Sequence, residues 1–329
     1  MTSRQSVDLA QLPARSAWRA AGARDSALFS LLLLLAAACA PATPAPEQAS
    51  PPPAQPNNAT YGTDANLAAS TPDAILRYAE HPRGFAELRL PQGTGPFPLA
   101  VIYHGGCWKT GIASQAYMAP LATRWQQQGI ATLNVDYREV GDGGGWPGSF
   151  ADWAASAKLI DEVAARYPID RAAVTLVGHS AGGLPAHWLA TPQAKDGPLG
   201  QRKAIKARAA IVLDGPGDVG AERAGFDALC QFAAVDPFMG GAPEAVPQRY
   251  TAISPATGAP QLAELLFVQA RLALPSAATQ AAIRAGTDRL ILRENPGASH
   301  FAIITPGHAV YAANEPAMLA VLKSEPPVP

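Results

Sequence analysis

Val174-Thr175-Leu176-Val177-Gly178-His179-Ser180-Ala181-Gly182-Gly183 is a short β-branched apolar run that ends in a glycine-flanked serine, and residues 184–190 follow with a helix-like composition. The pattern predicts strand, tight turn and helix, with Ser180 at the apex of the turn. A chain that reverses from strand to helix within a few residues forces its central residue into strained backbone angles. Glycines at 178 and 182 remove the side chains that would collide there. The serine oxygen is then held clear of the turn, and the first amides of the helix face any negative charge that develops beside it. Glycine, serine and alanine are common, so the spacing gains its weight from the strand before it and the helix after it.

Working outward, residues 98–103 (Pro-Leu-Ala-Val-Ile-Tyr) form a continuous apolar strand of the kind buried on both faces. Further strands are predicted at 74–78, 86–90, 130–135, 209–213, 265–268 and 290–292, and helices at 117–128, 150–167, 275–285 and 316–323. Strands alternating with helices imply an α/β fold, a mostly parallel twisted sheet with helices on both faces. Functional groups in such a sheet gather at the carboxyl ends of the strands. Residues 215–261 lack clear periodicity and read as a small lid-like insertion.

The strand at 98–103 ends in His104-Gly105-Gly106-Cys107-Trp108. Glycines at that place let the backbone approach a substrate carbonyl and turn N–H groups toward it. The expected oxyanion donors are the backbone N–H groups of Gly106 or Cys107 and of Ala181. A general base must come from six histidines. His104 belongs to the loop, His179 to the elbow, His187 to the helix after it, and His81 precedes the core strands. His300 follows a late strand through a loop ending in His-Phe, where the base falls in the order Ser, acid, His. His308 is the weaker candidate.

The segments HGGCW, NVDYREVGDGGGWPG, VTLVGHSAGG, DPFMGGAPEAVPQRYTAISP and GASHF resemble the α/β-hydrolase superfamily. Within it they resemble bacterial feruloyl/acetyl-xylan esterase-like enzymes, related to prolyl oligopeptidase and dienelactone hydrolase. The similarity runs from about residue 76 to 304. It implies Ser180 as nucleophile, His300 as base, and the His-Gly-Gly loop with Ala181 as oxyanion hole. Relatives usually carry the triad acid in the loop after the penultimate strand, but here residues 268–275 contain no carboxylate. Asp214, at the end of strand 209–213, ranks first as replacement. Asp218 ranks second, and a Ser–His dyad without an acid third. Trp108 and Trp146 are expected to border the substrate pocket.

Residues 1–39 read as a secretory signal. Four arginines (Arg4, Arg15, Arg19, Arg24) precede five leucines, three alanines and Cys39. Cys39 resembles a lipoprotein acceptor cysteine, although Ala36 stands where leucine is usual, and ordinary secretion after Ala38 is the alternative. Residues 40–60, rich in Ala and Pro, read as a tether, and 61–329 as the hydrolase domain. Outside the signal only Cys107 and Cys230 remain, expected as two free buried thiols, with pairing open in an oxidising compartment. Basic and acidic residues nearly balance, 25 against 26, which does not suggest a nucleic-acid partner. No metal or dinucleotide signature occurs, so no cofactor is expected. These readings predict an exported, periplasmic or membrane-anchored serine hydrolase cleaving carboxylic esters of a small molecule or polysaccharide. The alternatives are a catalytically impaired binding protein and a peptidase or amidase on the same fold.

Overall fold

Leu99, Val101 and Tyr103 pack into one hydrophobic cluster while Ala100 and Ile102 pack into another, so the strand that carries them is buried on both faces. The computed structural model of the chain describes residues 67–325. The expected signal segment with Cys39, and the tether at 40–60, lie outside the described residues.

Eight strands form one sheet: β1 (Ala74–Arg77), β2 (Phe85–Arg89), β3 (Phe97–Tyr103), β4 (Ala131–Val135), β5 (Ile169–His179), β6 (Ala209–Leu213), β7 (Leu262–Gln269) and β8 (Thr287–Glu294). Their order is β1-β2-β4-β3-β5-β6-β7-β8. The β1–β2 and β2–β4 pairings are antiparallel, and every other pairing is parallel. The two-residue alternation of β3 recurs in β6 and β7. Ala210, Val212, Leu265 and Phe267 face one cluster; Ile211, Leu213, Leu266 and Val268 face the other.

Helices α1 (Ala119–Gln127) and α9 (Ala309–Lys323) supply Leu121, Trp125, Met318 and Val321 to the second cluster. On the other face, α2 (Gly148–Ser156), α3 (Leu159–Arg166), α4 (Gly183–Trp188) and α8 (Ala277–Arg284) supply Phe150, Trp153, Ile160, Leu184 and Ile283. The α/β fold expected from the sequence is therefore the one observed.

Two helix boundaries differ from expectation for local reasons. The single helix expected at 150–167 is two helices, parted at residues 157–158, where Lys158 and Ile160 donate three residues back to the Ala155 and Ala157 carbonyls, at 3.1 and 3.3 Å, in place of the four-residue ladder. The last helix begins at Ala309 instead of Pro316, with His308 Nδ1 accepting from the Val310 N–H at 3.1 Å as its cap. The segment expected as a lid contains α5 (Arg223–Cys230), α6 (Val235–Met239) and α7 (Pro247–Ile253). Phe226, Phe238 and Met239 bury it against the sheet-face cluster, so it is a packed insertion.

Candidate active site

Ser180 stands where β5 ends and a 3-10 turn (Ser180–Gly182) leads into α4, with φ of 55°. A left-handed backbone at a serine is strained and persists only where the surroundings over-determine it. The flanking glycines are what permit it. A Cβ on Gly178 would lie 1.8 Å from the Gly182 carbonyl oxygen, and one on Gly182 would lie 2.1 Å from that of Tyr103. The elbow is thus closed against neighbouring backbone on both sides.

His300 Nδ1 donates to Asp214 Oδ2 at 2.7 Å. Asp214 terminates β6 in a left-handed conformation, φ 47°, and is fully buried. Its Oδ1 accepts N–H groups from Ala270, Arg271 and Leu272, each at 2.9 Å, and Oδ2 accepts a second contact from Arg271 at 2.9 Å. Burial alone would raise this carboxyl. The bond from His300, the charge of that ring and the N–H donors of Ala270 and Leu272 outweigh it and hold Asp214 below the usual carboxylate range. The loop after β7, which carries no acid, therefore supplies the amides that seat an acid from the neighbouring strand.

Asp218, the second-ranked acid, is occupied elsewhere. Its Oδ1 accepts from Gly220 and Ala221, and its Oδ2 accepts the Ser254 hydroxyl at 2.5 Å. The remaining histidines are likewise engaged away from Asp214. His81 meets Asp152 at 3.2 Å, His187 meets the Pro216 carbonyl at 3.2 Å, and His308 caps α9.

The His-Gly-Gly loop sits on a buried polar platform. His104 Nε2 meets Asp136 Oδ1 at 3.0 Å, and the His104 ring stacks on Tyr137, whose hydroxyl donates to the His104 carbonyl. Arg83 spans Asp136 and Glu139 at 3.0 and 2.9 Å. Gly105 donates its N–H to the Tyr117 hydroxyl, so it is spoken for. The N–H groups of Gly106 and Cys107 have no acceptor among the described residues, which leaves them free for an oxyanion. Ala181 follows Ser180 within the 3-10 turn.

Cys107 and Cys230 form a disulfide, which corrects the expectation of two free buried thiols. The bridge ties the His-Gly-Gly loop to the last residue of α5. Spacing could not show this, because the two cysteines are 123 residues apart and meet only once the insertion folds over the sheet.

The expectation for the two tryptophans is also corrected. Trp108 is fully buried, donates its indole N–H to the Ala181 carbonyl at 3.0 Å and stacks on Phe238 at 4.2 Å. Trp146 packs on Phe150 at 4.8 Å. Neither lines the cavity over Ser180: Trp108 stacks against the insertion and Trp146 against α2. That cavity, about 560 Å³, is lined instead by Leu229, Phe232, Phe301, Ile112 and Arg271 around Ser180 and His300.

One connection was not legible in the sequence at all. The His300 carbonyl can only accept, so His179 Nε2 donates to it at 3.0 Å. His179 Nδ1 is then the acceptor, and the Tyr117 hydroxyl donates to it at 2.8 Å while accepting from Gly105. Three hydrogen bonds thus join the His-Gly-Gly loop, the elbow and the loop of His300. Burial, and then the charge of the neighbouring His300, push the His179 pKa down to about 3, which keeps the ring in the neutral form this chain requires. Tyr117 sits in an undistinguished stretch, and no spacing marks it.

A buried serine on a strained elbow, a carboxylate-held histidine and free loop amides on one mostly parallel sheet are the arrangement of an α/β hydrolase. The chain belongs to the BD-FAE family, an α/β-hydrolase esterase family whose model matches residues 87–261, more than half of the chain. Solved structures share the fold. A truncated carbohydrate esterase from gut microbiota superposes with a TM-score of 0.59 at 18% identity, over 79% of this chain and 99% of that one. A butyrate-bound thermophilic esterase of Thermogutta terrifontis gives 0.57 at 17% identity, over 79% and 96%. A bifunctional GH43-CE protein of Bacteroides eggerthii gives 0.56 at 18% identity, over 76% of this chain and 37% of that one. No curated protein sequence matches the chain.

Proposed function

We propose that the protein hydrolyses carboxylic esters through an acyl-enzyme on Ser180. The observation that carries this reading is the 2.7 Å bond from His300 Nδ1 to buried Asp214, in a site where His300 and Ser180 line one cavity. With Nδ1 held by Asp214, Nε2 is the ring nitrogen that takes a proton. Ser180 Oγ bonds to the ester carbon and its proton passes to His300 Nε2. The resulting oxyanion rests on the N–H groups of Gly106 or Cys107 and Ala181. Collapse breaks the bond to the alcohol, which leaves with the proton from His300. Water then attacks the acyl carbon, gives its proton to His300, and the acid departs as that proton returns to Ser180 Oγ.

Structures of the Thermogutta esterase phosphonylated by sarin and cyclosarin share this fold, which supports a reactive serine in the present chain. The bond to Asp214 favours a working hydrolase over a binding protein that has lost its acid. The test is labelling by a fluorophosphonate probe together with turnover of 4-nitrophenyl acetate and butyrate. Wild type should be labelled and active, and Ser180→Ala should be neither. Turnover retained in Ser180→Ala rejects the mechanism.

We also infer export. The signal-like residues 1–39 support it, as does the Cys107–Cys230 bridge, since structural disulfides persist in oxidising compartments. Membrane fractionation of Cys39→Ser against wild type tests lipid anchoring; an unchanged distribution rejects it.

A further inference from the structure

Arg271 carries the one fixed charge among the described residues that line the Ser180 cavity, and no acidic side chain lines it. Its backbone N–H contacts both oxygens of Asp214 at 2.9 Å, so its main chain is fixed beside the residue that holds His300. Its side chain is exposed and has no carboxylate partner among the described residues. The one carboxylate close behind it, Asp214, is buried and already saturated by His300 and three amides. The other polar lining groups are neutral at Gln231 and Ser299, and the remaining walls at Leu229, Phe232 and Phe301 are apolar. Across the insertion, Lys109 Nζ lies 4.8 Å from the ring centroid of Phe232, which places a second cation behind one of those walls.

An unpaired guanidinium at the edge of a partly apolar cavity pairs in bidentate fashion with a carboxylate, and the apolar walls strengthen that pairing relative to open water. We propose that Arg271 is a specificity-determining residue that selects esters bearing a carboxylate near the scissile bond. This rests on the esterase reading above. The anionic group can belong to the acyl part, as in a half-ester of a dicarboxylic acid, or to the alcohol part, as in an ester of a hydroxy acid. Both present the same chemistry to Arg271.

The experiment compares kcat/KM within two matched pairs, using the full chain. Mono-4-nitrophenyl adipate against methyl 4-nitrophenyl adipate places the charge on the acyl side. Then 4-acetoxybenzoate against methyl 4-acetoxybenzoate places it on the alcohol side. Wild type is expected to prefer the anionic member of one pair by about fivefold, the scale of a partly exposed ion pair. Arg271→Gln keeps the backbone amide that seats Asp214. It should lower kcat/KM for the anionic member and so abolish that preference, and Arg271→Lys should restore part of it. Sodium chloride at about 0.5 M should weaken the preference in wild type and leave Arg271→Gln unaffected. Good turnover of neutral esters with no anionic preference, or equal loss on both members in Arg271→Gln, overturns the role of Arg271 alone. Absence of turnover on all four esters, with no probe labelling, overturns the esterase reading and this inference with it.

Discussion

His179 donates from Nε2 to the main-chain carbonyl of His300 across 3.0 Å, so the residue before Ser180 holds the main chain of the histidine that meets Asp214. The same ring accepts from Tyr117, which in turn accepts from Gly105 of the His-Gly-Gly loop. Three segments far apart in the chain are thereby held in register by neutral, fully buried side chains. Buried chains of this kind fix geometry because breaking one link leaves its neighbours unsatisfied.

Tyr117→Phe removes the middle of that chain and leaves the Gly105 amide and His179 Nδ1 without a partner. An unsatisfied buried group costs about 1–3 kcal/mol, so kcat should fall by about tenfold if the loss is felt at the reacting atoms. KM should change little, because the cavity walls stay in place. Steady-state kinetics beside a thermal melt separates the two roles: a lowered melting temperature with unchanged kcat means that Tyr117 only supports the fold.

Asp214→Asn should lower kcat by about 10³–10⁴, the scale of the orienting carboxylate in serine-protease triads. The amide would keep its oxygen on the three N–H donors and turn its nitrogen toward His300 Nδ1, which could then no longer donate there. Asp218→Asn, which touches only the Gly220–Ala221 turn and Ser254, should leave kcat within about threefold. Equal effects from the two substitutions, at matched circular dichroism, would count against Asp214 as the acid.

Reducing the Cys107–Cys230 bridge frees the oxyanion loop from α5 and opens a cross-link spanning 123 residues. Loss of so long a closed loop is expected to destabilise the fold by about 2–5 kcal/mol. Urea unfolding of Cys230→Ser against the oxidised wild type measures this. Activity below the transition should also fall, since Cys107 carries one of the free amides. Identical midpoints and identical kcat would show that the bridge matters to neither.

Acid should destabilise the protein through two buried histidines. Burial first, and then the charge of His300, push His179 to about 3, and burial pushes His187 to about 4. Both lie below the value of about 6.5 expected in the unfolded chain. The unfolded state therefore takes up protons that the folded state refuses, and stability is lost as pH falls from about 6.5 toward 3 and 4; above 6.5 these groups contribute no slope. Denaturant midpoints at pH 7, 5.5 and 4.5 read this directly. In His187→Gln, whose amide can still donate to the Pro216 carbonyl, part of the acid slope should vanish, and an unchanged slope would remove His187 from the account.

Local pattern made much of this molecule legible. The alternation in β3, β6 and β7 and the glycines around Ser180 are consequences of neighbouring residues, so the parallel sheet and the elbow could be read directly. Helix breaks were less legible. α2 and α3 part where the ladder tightens to three-residue bonds at Lys158 and Ile160, and composition alone does not announce such a break. Trp108 lies away from the expected pocket border because Phe226 and Phe238 of the insertion, more than a hundred residues on, stack against it.

By itself the sequence determined which residue stands at the apex of the turn and which strands flank it, because strain relief at Gly178 and Gly182 and period-two burial are local properties of the chain. Only the tertiary structure decided which carboxylate meets His300. Asp214 and the amides of residues 270–272 lie more than fifty positions apart in sequence and converge because β6 and β7 are neighbours in the sheet. The same holds for the Cys107–Cys230 bridge, the Tyr117–His179–His300 chain and the placing of Arg271 at the cavity, each of which joins segments that only the folded sheet and insertion bring within reach.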